Sequence, residues 1–254
     1  QYFGVRYAFS LTPSIGLMPL DVPSRDTAKV HQLAMGSSTF VGLAPLPLVP
    51  QEVRQISAGS RSQAILDASF TRDALLSSTS SPDVSRVHVA THAEFLPGGP
   101  AKARIYTGNS SVTLSEFSSI RQRRQDQPLD LIVLSACRTA LGDQDSELGF
   151  AGLALQAGAR SAVGTLWYVD DVATSAFFIQ FYQYLKQGFP KAEAMQATRA
   201  VFALSEVTQK ADKVIGPNGQ VLLSGLSVAE QRRIAGGLAN PYYWAGIQLM
   251  GTPW

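Results

Sequence analysis

Leu129-Asp-Leu-Ile-Val-Leu-Ser-Ala136, followed at once by Cys137-Arg-Thr139, is the most apolar strand-length run in the sequence. It is apolar without alternation, which fits a central parallel strand covered on both faces. Upstream, Arg86-Val-His-Val-Ala-Thr-His92 has the same buried-strand pattern and stops before the chain break Pro97-Gly-Gly-Pro100. Downstream, residues 161–166 read as another strand. Helical patterns separate these runs. Strands alternating with helices predict an α/β fold with a mostly parallel central sheet flanked by helices on both faces.

Further out, residues 2–9 and 39–44 read as strands, the second stopped by Pro45, Pro47 and Pro50. Residues 63–67 read as a short strand, and 51–57 and 71–76 as short helices. Residues 104–107 and 111–114 predict a hairpin around Gly108-Asn109, and 114–121 a helix. Leu148 to Ala157 predict a helix closed by Gly158. Asp170 or Asp171 caps a helix to about Gln187, whose apolar positions Ala173, Phe177, Phe181 and Leu185 recur at i+4. Gly188 and Pro190 end it, and a second helix runs from Pro190 to Leu204. Residues 208–240 are polar and Gly-containing, an insertion. Tyr243 to Met250 close the fold as a strand.

Composition narrows the function classes. The chain has 254 residues, 45% of them apolar and 16% charged. That charged share is below the roughly 25% of an average domain, which argues against disorder. A net charge of +2 is too small to make nucleic acid or an anionic membrane the main partner. Cys137 is the one cysteine, so no intrachain disulfide forms and neither a Cys₄ nor a Cys₂His₂ zinc site is built. A mixed site would need nearly all of Cys137, His31, His88 and His92, and no metal or organic cofactor is expected. No apolar run approaches the ~20 residues needed to cross a bilayer. The sequence opens on Gln1 with no signal-peptide pattern. It reads as a fragment with any missing domain before Gln1 and a natural C-terminus at Gly-Thr-Pro-Trp. The cytoplasm is the expected compartment.

Two strands end in reactive residues: Ala90-Thr91-His92 and Ser135-Ala136-Cys137. Open α/β sheets gather ligands at the carboxyl ends of strands, beside a switch in strand order. If the two strands are neighbours, His92 and Cys137 converge there. The thiolate is the nucleophile, and a free thiol with pKa about 8.5 supplies only a few per cent of it at neutral pH. An imidazole takes the proton or pairs with the anion. The backbone N–H of Ala93, with that of Cys137, is the candidate oxyanion donor. The competing readings are a Cys that only fills space at a strand end and a His that is structural. His88 shares a strand face with His92 but lies deeper, and reads as a core histidine. His31 reads as surface.

Ala-Thr-His-Ala (90–93) followed by Leu-Ser-Ala-Cys-Arg-Thr-Ala-Leu-Gly (134–142) resembles the CHAT domain, a caspase-like cysteine protease family related to separases. The resemblance continues through residues 149–161, Gly164-Thr-Leu-Trp-Tyr-Val-Asp-Asp171, residues 181–188, residues 191–194, and Asn240-Pro-Tyr-Tyr-Trp-Ala-Gly-Ile-Gln-Leu-Met-Gly251. Tyr7-Ala-Phe-Ser-Leu-Thr-Pro-Ser14 resembles the domain's opening. The likeness covers the whole chain apart from 208–240. The caspase string Gln-Ala-Cys-Arg-Gly is not matched, since the chain has Ser-Ala-Cys-Arg-Thr.

The resemblance implies a caspase–hemoglobinase sandwich spanning 1–254. Residues 1–37 would extend the sheet at its N-terminal end, 38–145 would be the large-subunit-like part with the dyad, and 146–254 the small-subunit-like part carrying the 208–240 insertion. It implies a Cys137–His92 dyad that cleaves peptide bonds through a thioester acyl-enzyme. Many relatives have Gly where this chain has Ala93, and a backbone there needing positive φ would be strained. In separases a similar Trp-x-Val-x-Asp segment presents an acid to a P1 arginine, and the matching position is Asp171. A recessed carboxylate selects Arg or Lys by charge-assisted hydrogen bonds. Asp170 is the second candidate, with helix N-capping as the competing role for the pair, and Glu147 a third. Arg121, Arg123 and Arg124 read as a solvated face, with self-processing there or at Arg232-Arg233 as the alternative. The expected partners are a protein or peptide substrate and a helical-repeat region earlier in the full-length protein. The competing function is a catalytically silent, caspase-like interaction or regulatory module, and an acyltransferase would share the nucleophile. Calcium, which activates some related metacaspases, finds no EF-hand-like loop in the sequence.

Overall fold

Gln32 pairs with Ser62 on one side and with Arg86 on the other, which makes its strand an interior one. The computed structural model describes residues 2–12, 30–94, 103–124, 127–135, 154–155 and 158–254. Among them a six-stranded sheet is built from β1 (Gln32–Gly36), β2 (Ser62–Leu66), β3 (Arg86–Ala90), β7 (Leu131–Ser135), β8 (Ser161–Thr165) and β12 (Ile247–Gly251). The order is β12-β8-β7-β3-β1-β2. All neighbours are parallel except β12, which runs antiparallel to β8. The chain lays β2 on one side of β1 and every later strand on the other, so strand order reverses between β1 and β3. That is where such sheets open a crevice.

Period-two alternation sorts the strand residues to two faces. Leu33, Met35, Val87, Val89, Ile132 and Leu134 pack on one face. There they meet α3 (Arg72–Ser80) and the short helices α4 (Leu114–Ser118) and α5 (Ile120–Arg123). Ala34, Ala90, Leu131, Val133 and Val163 face the other way. They meet α2 (Val49–Ile56) and α6 (Asp171–Lys186), with α7 (Lys191–Ala203) beside them. Helices therefore cover both faces, as the apolar pattern predicts. Nearly all of α6 from Val172 to Tyr182 is buried, more than an i+4 stripe requires. Its outer side is covered as well, because residues 208–240 are not a bare loop. They form a small antiparallel sheet of β9 (Thr208–Lys210), β10 (Lys213–Ile215) and β11 (Val221–Leu223), then α8 (Val228–Arg233). Val214, Leu222 and Leu223 join the same core cluster as α6.

Three further expectations are corrected. Residues 39–44 are not a strand; the strand precedes them as β1. A Cβ on Gly36 would lie 2.4 Å from the Ala90 oxygen and 2.6 Å from Val49 Cγ1. Only glycine lets β1 come this close to β3 and α2, and a glycine beside polar residues hides the strand signal. Residues 2–9 begin with the helical turn α1 (Phe3–Arg6). Phe3 and Tyr7 stay exposed, and the Arg199 guanidinium of α7 lies 4.8 Å from the Phe9 ring, so Phe9 packs on a helix and not on a strand. Strand propensity reflects fit to a half-buried pleat, and here the neighbour is a helix. Leu11, among the described residues, forms a parallel bridge to Met250 of the sheet. Finally, the closing strand starts at Ile247, four residues later than its aromatic run suggests, because Pro241–Tyr243 form a 3₁₀ turn capped by Asn240.

The hairpin of β5 (Arg104–Thr107) and β6 (Ser110–Thr113) turns at Gly108-Asn109 as expected. The helix predicted over 148–157 lies mostly outside the described residues. Arg124 is not part of a solvated face. It is 3% exposed and donates to the carbonyls of Thr79, Ser81, Val84 and Gln127, whereas Arg121 and Arg123 are exposed. Among the described residues no helix is long and apolar enough to cross a membrane. Nor does any group of three or more His, Cys, Asp or Glu side chains among them offer a metal site.

Candidate functional site

The strands carrying His92 and Cys137 are neighbours. β3 and β7 pair in parallel with Ala90 opposite Ser135, and the Thr91 N–H donates to the Ser135 oxygen at 3.1 Å. His92 is two residues past Ala90, and Cys137 is two residues past Ser135 in the sequence. Cys137 and Glu147 themselves lie outside the described residues.

His92 is half-buried, with Nε2 2.8 Å from the carbonyl oxygen of Ala44. A carbonyl only accepts, so Nε2 carries the proton of the neutral ring and Nδ1 is left as the basic nitrogen. Phe40 sits edge-on to the ring at 4.6 Å. Both contacts come from the loop after β1, which belongs to the strand-order switch. The backbone is fixed on the other side by the hairpin: Tyr106 N–H donates to His92 O at 2.9 Å, and Thr91 Oγ1 donates to Tyr106 O.

Ala93 begins the two-residue strand β4 (Ala93–Glu94), opposite Ile105. The described non-glycine residues with positive φ are Asp67, Ser205 and Ala211. Ala93 is not among them, so the expected strain of Ala in place of Gly is absent. The bond from Tyr106 to His92 makes that couple a hydrogen-bonded pair, and the alternation of an antiparallel ladder makes Ala93–Ile105 a non-hydrogen-bonded one. The ladder therefore leaves the Ala93 N–H unused.

Asp170 and Asp171 divide as the sequence allows. Asp170 caps α6, its Oδ1 accepting from Val172 N at 3.0 Å and Ala173 N at 3.3 Å. Asp171 opens the first turn and lines a small open cleft together with Leu46, Leu48, Glu52, Thr91 and Ser135. This cleft is at the carboxyl ends of β3 and β7, lined there by Thr91, the residue before His92, and by Ser135. Burial, then the charge of Asp170, raises Asp171 above the usual carboxylate range against the opposing pull of Arg233. Arg233 is the last residue of α8. Its Nε donates to Asp170 Oδ2 at 2.6 Å and its Nη2 to Asp171 Oδ1.

A family model described as the CHAT domain matches residues 1–252, essentially the whole chain. The chain belongs to the CHAT domain family. CHAT domains are caspase-like and protease-related, and the mixed α/β architecture with its mostly parallel six-stranded sheet agrees with that kinship. No curated protein matches the chain. Two stretches of CHAT resemblance meet in space. A Cβ on Gly246 would lie 2.6 Å from the Trp167 ring, and Trp167 Nε1 donates to Tyr242 O at 3.0 Å. Trp167 thus lies flat on the 240–251 stretch, which fixes the segment leading to Asp170 and Asp171.

Sequence reasoning about this CHAT domain missed three contributors: Ala44, Arg233 and Glu52. Glu52 is 1% exposed and belongs to the cleft wall. It accepts from Ser175 Oγ at 2.6 Å and lies 2.9 Å from His88 Nε2. His88 is the core histidine expected, fully buried between the edges of Phe178 and Tyr182. An acid in the first turn of a helix is ordinary, and nothing in the sequence links position 52 to 88 or 175. Ala44 acts through its backbone, which carries no residue signature.

Proposed function

We propose that this CHAT domain is a cysteine endopeptidase that uses Cys137 as nucleophile and His92 as general base, and cleaves after Arg or Lys. The observation carrying the reading is the His92–Ala44 hydrogen bond at the carboxyl end of β3, beside the strand that leads into Cys137. A ring tethered through Nε2 has only Nδ1 with which to take the thiol proton. The Cys137 thiolate then attacks the peptide carbonyl. The Ala93 N–H, unused by its ladder, and the Cys137 N–H face the oxyanion. The His92 imidazolium returns the proton to the departing amine, leaving a thioester on Cys137. Water, deprotonated by Nδ1, hydrolyses the thioester and restores the thiol. No step requires a metal or an organic cofactor.

The basic P1 preference is supported by the position of Asp171 on the cleft wall. A carboxylate there forms charge-assisted bonds with a guanidinium or ammonium group. Glu147 stays a weaker candidate for the same pocket. The test is hydrolysis of peptides with Arg, Lys, Gln or norleucine at P1 by the wild-type chain and by Cys137→Ala. The expected result is cleavage after Arg and Lys only, falling by about 10³-fold or more in the variant, as when a nucleophile is removed from a catalytic unit. Undiminished cleavage by Cys137→Ala overturns the mechanism. No turnover, together with no reaction of Cys137 with an arginine-based electrophile, would favour a silent interaction module.

A further inference from the structure

We propose that Arg233 is an internal stand-in for the P1 side chain, holding the Asp170–Asp171 pair against substrate until α8 is displaced. The inference rests on the reading of Asp171 as the acid that receives a basic P1 residue.

Arg233 presents Nε and Nη2 to two different carboxylates, Asp170 Oδ2 and Asp171 Oδ1. This side-on approach is the one a substrate guanidinium would make. It comes from the 208–240 stretch, between α7 and the closing strand. The arm is built to hold position. Ser227 caps α8 and forms a reciprocal capping box with Glu230. Tyr243 Oη donates to the Arg233 carbonyl at 3.0 Å. The arginine side chain is nevertheless 45% exposed, whereas Asp170 and Asp171 are 11% and 25% exposed. The acids are recessed and the cation covering them is accessible, as expected of a plug and not of a buried brace. An ion pair exposed on one side is weak, so an incoming basic side chain can compete for the acids.

The same geometry removes Arg232-Arg233 as a processing site in this conformation. Peptidase clefts bind substrate as an extended strand. Here the Ile234 N–H donates to Glu230 O and the Ala235 N–H to Arg232 O, so the bond after Arg233 is held in the final turn of a helix. Arg233 fills the acid pair without offering its own peptide bond.

The test compares wild type, Arg233→Ala and Arg233→Lys on two peptides that differ only in Arg or norleucine at P1. Binding of both peptides to the Cys137→Ala forms, by fluorescence anisotropy, gives a readout that needs no turnover. Arg233→Ala should lower KM and Kd for the Arg peptide about tenfold, with kcat within twofold and the norleucine peptide unaffected. Arg233→Lys keeps the charge but not the two-point contact and should fall between wild type and Arg233→Ala. Should Arg233→Ala fold poorly, Arg233→Gln keeps the bulk and drops the charge. If Arg is preferred over norleucine but removing Arg233 leaves Arg binding unchanged or weaker, Arg233 is only a brace and the proposal fails by itself. If no form distinguishes the two peptides, the P1 assignment fails and takes this proposal with it.

Discussion

His92 Nε2 is 2.8 Å from the carbonyl oxygen of Ala44. The loop after β1 therefore sets the tautomer of a ring at the end of β3. His92→Gln keeps the side chain polar but offers no basic nitrogen. It is expected to lower kcat on an Arg-P1 peptide by about 10²-fold or more, the usual worth of general acid–base catalysis, with KM little changed. Steady-state kinetics checks this. An equal loss confined to KM would place His92 in binding.

Under the proposed P1 assignment, Asp171 links specificity to stability. Its raised proton affinity, caused first by burial and then by Asp170, means that the folded state disfavours the charged carboxylate. A carboxyl raised on folding contributes stability below its unfolded pKa, and that contribution is lost as pH rises through the folded value. Asp171→Asn should therefore be as stable as wild type or more so at pH 7, with the gain vanishing below about pH 4, where an unfolded Asp is protonated. The same variant should lose preference for Arg over norleucine. Thermal unfolding across pH, paired with the two peptides, checks both arms. In wild type, affinity for Arg-P1 peptides should fall as pH drops through the raised Asp171 value.

Glu52 ties the cleft wall on α2 to α6 through Ser175 and to β3 through His88. Ser175→Ala removes one hydrogen bond to a charged group and should cost about 2 kcal/mol. Glu52→Ala strands the His88 N–H in the core and should cost about 3 kcal/mol or more. Denaturant midpoints at constant m-value measure both. If both changes cost less than about 0.5 kcal/mol, within the range of ordinary surface substitutions, the network is not holding the cleft together.

Asp130 precedes β7 and accepts from Lys191 Nζ at 2.7 Å and Arg86 Nε at 2.8 Å. Burial opposes its charge, but Lys191 and Arg86 prevail and hold it below the usual carboxylate range. Lys191 is 2% exposed. Asp130→Asn leaves that ammonium without its counter-ion and should cost about 3 kcal/mol at pH 7. A lowered carboxyl contributes stability above its unfolded pKa and loses it as pH falls through the folded value. The gap between wild type and variant should therefore close in acid.

The parallel core was legible because Leu131–Ser135 is nearly all apolar, and Arg86–Ala90 and residues 161–166 also read as strands between helical patterns. The placement of His92, Asp170 and Asp171 was legible because each follows a strand or opens a helix, and Asp170 caps α6 as a residue of its type does there. β1 was not, since the close approach at Gly36 favours a residue that reads as a breaker. The aromatic start at Tyr2–Phe9 misled because bulky β-formers also suit a helix-backed surface. Glu52 and Arg233 act on partners 36 and more than 60 positions away, and a single sequence carries no record of such pairings. Arg124 reads as charge, and only its four carbonyl partners make it core.

The most direct measurement is the rate at which an arginine-based acyloxymethyl ketone modifies Cys137, followed by intact mass and peptide mapping. The same electrophile carrying norleucine, and glutathione as the free-thiol reference, set the scale. The expected result is a single adduct on Cys137, formed at least about 10²-fold faster than on glutathione, faster with arginine than with norleucine, and slowed by His92→Gln. A Cys137 that reacts no faster than glutathione, or reacts equally with and without His92, would contradict the account.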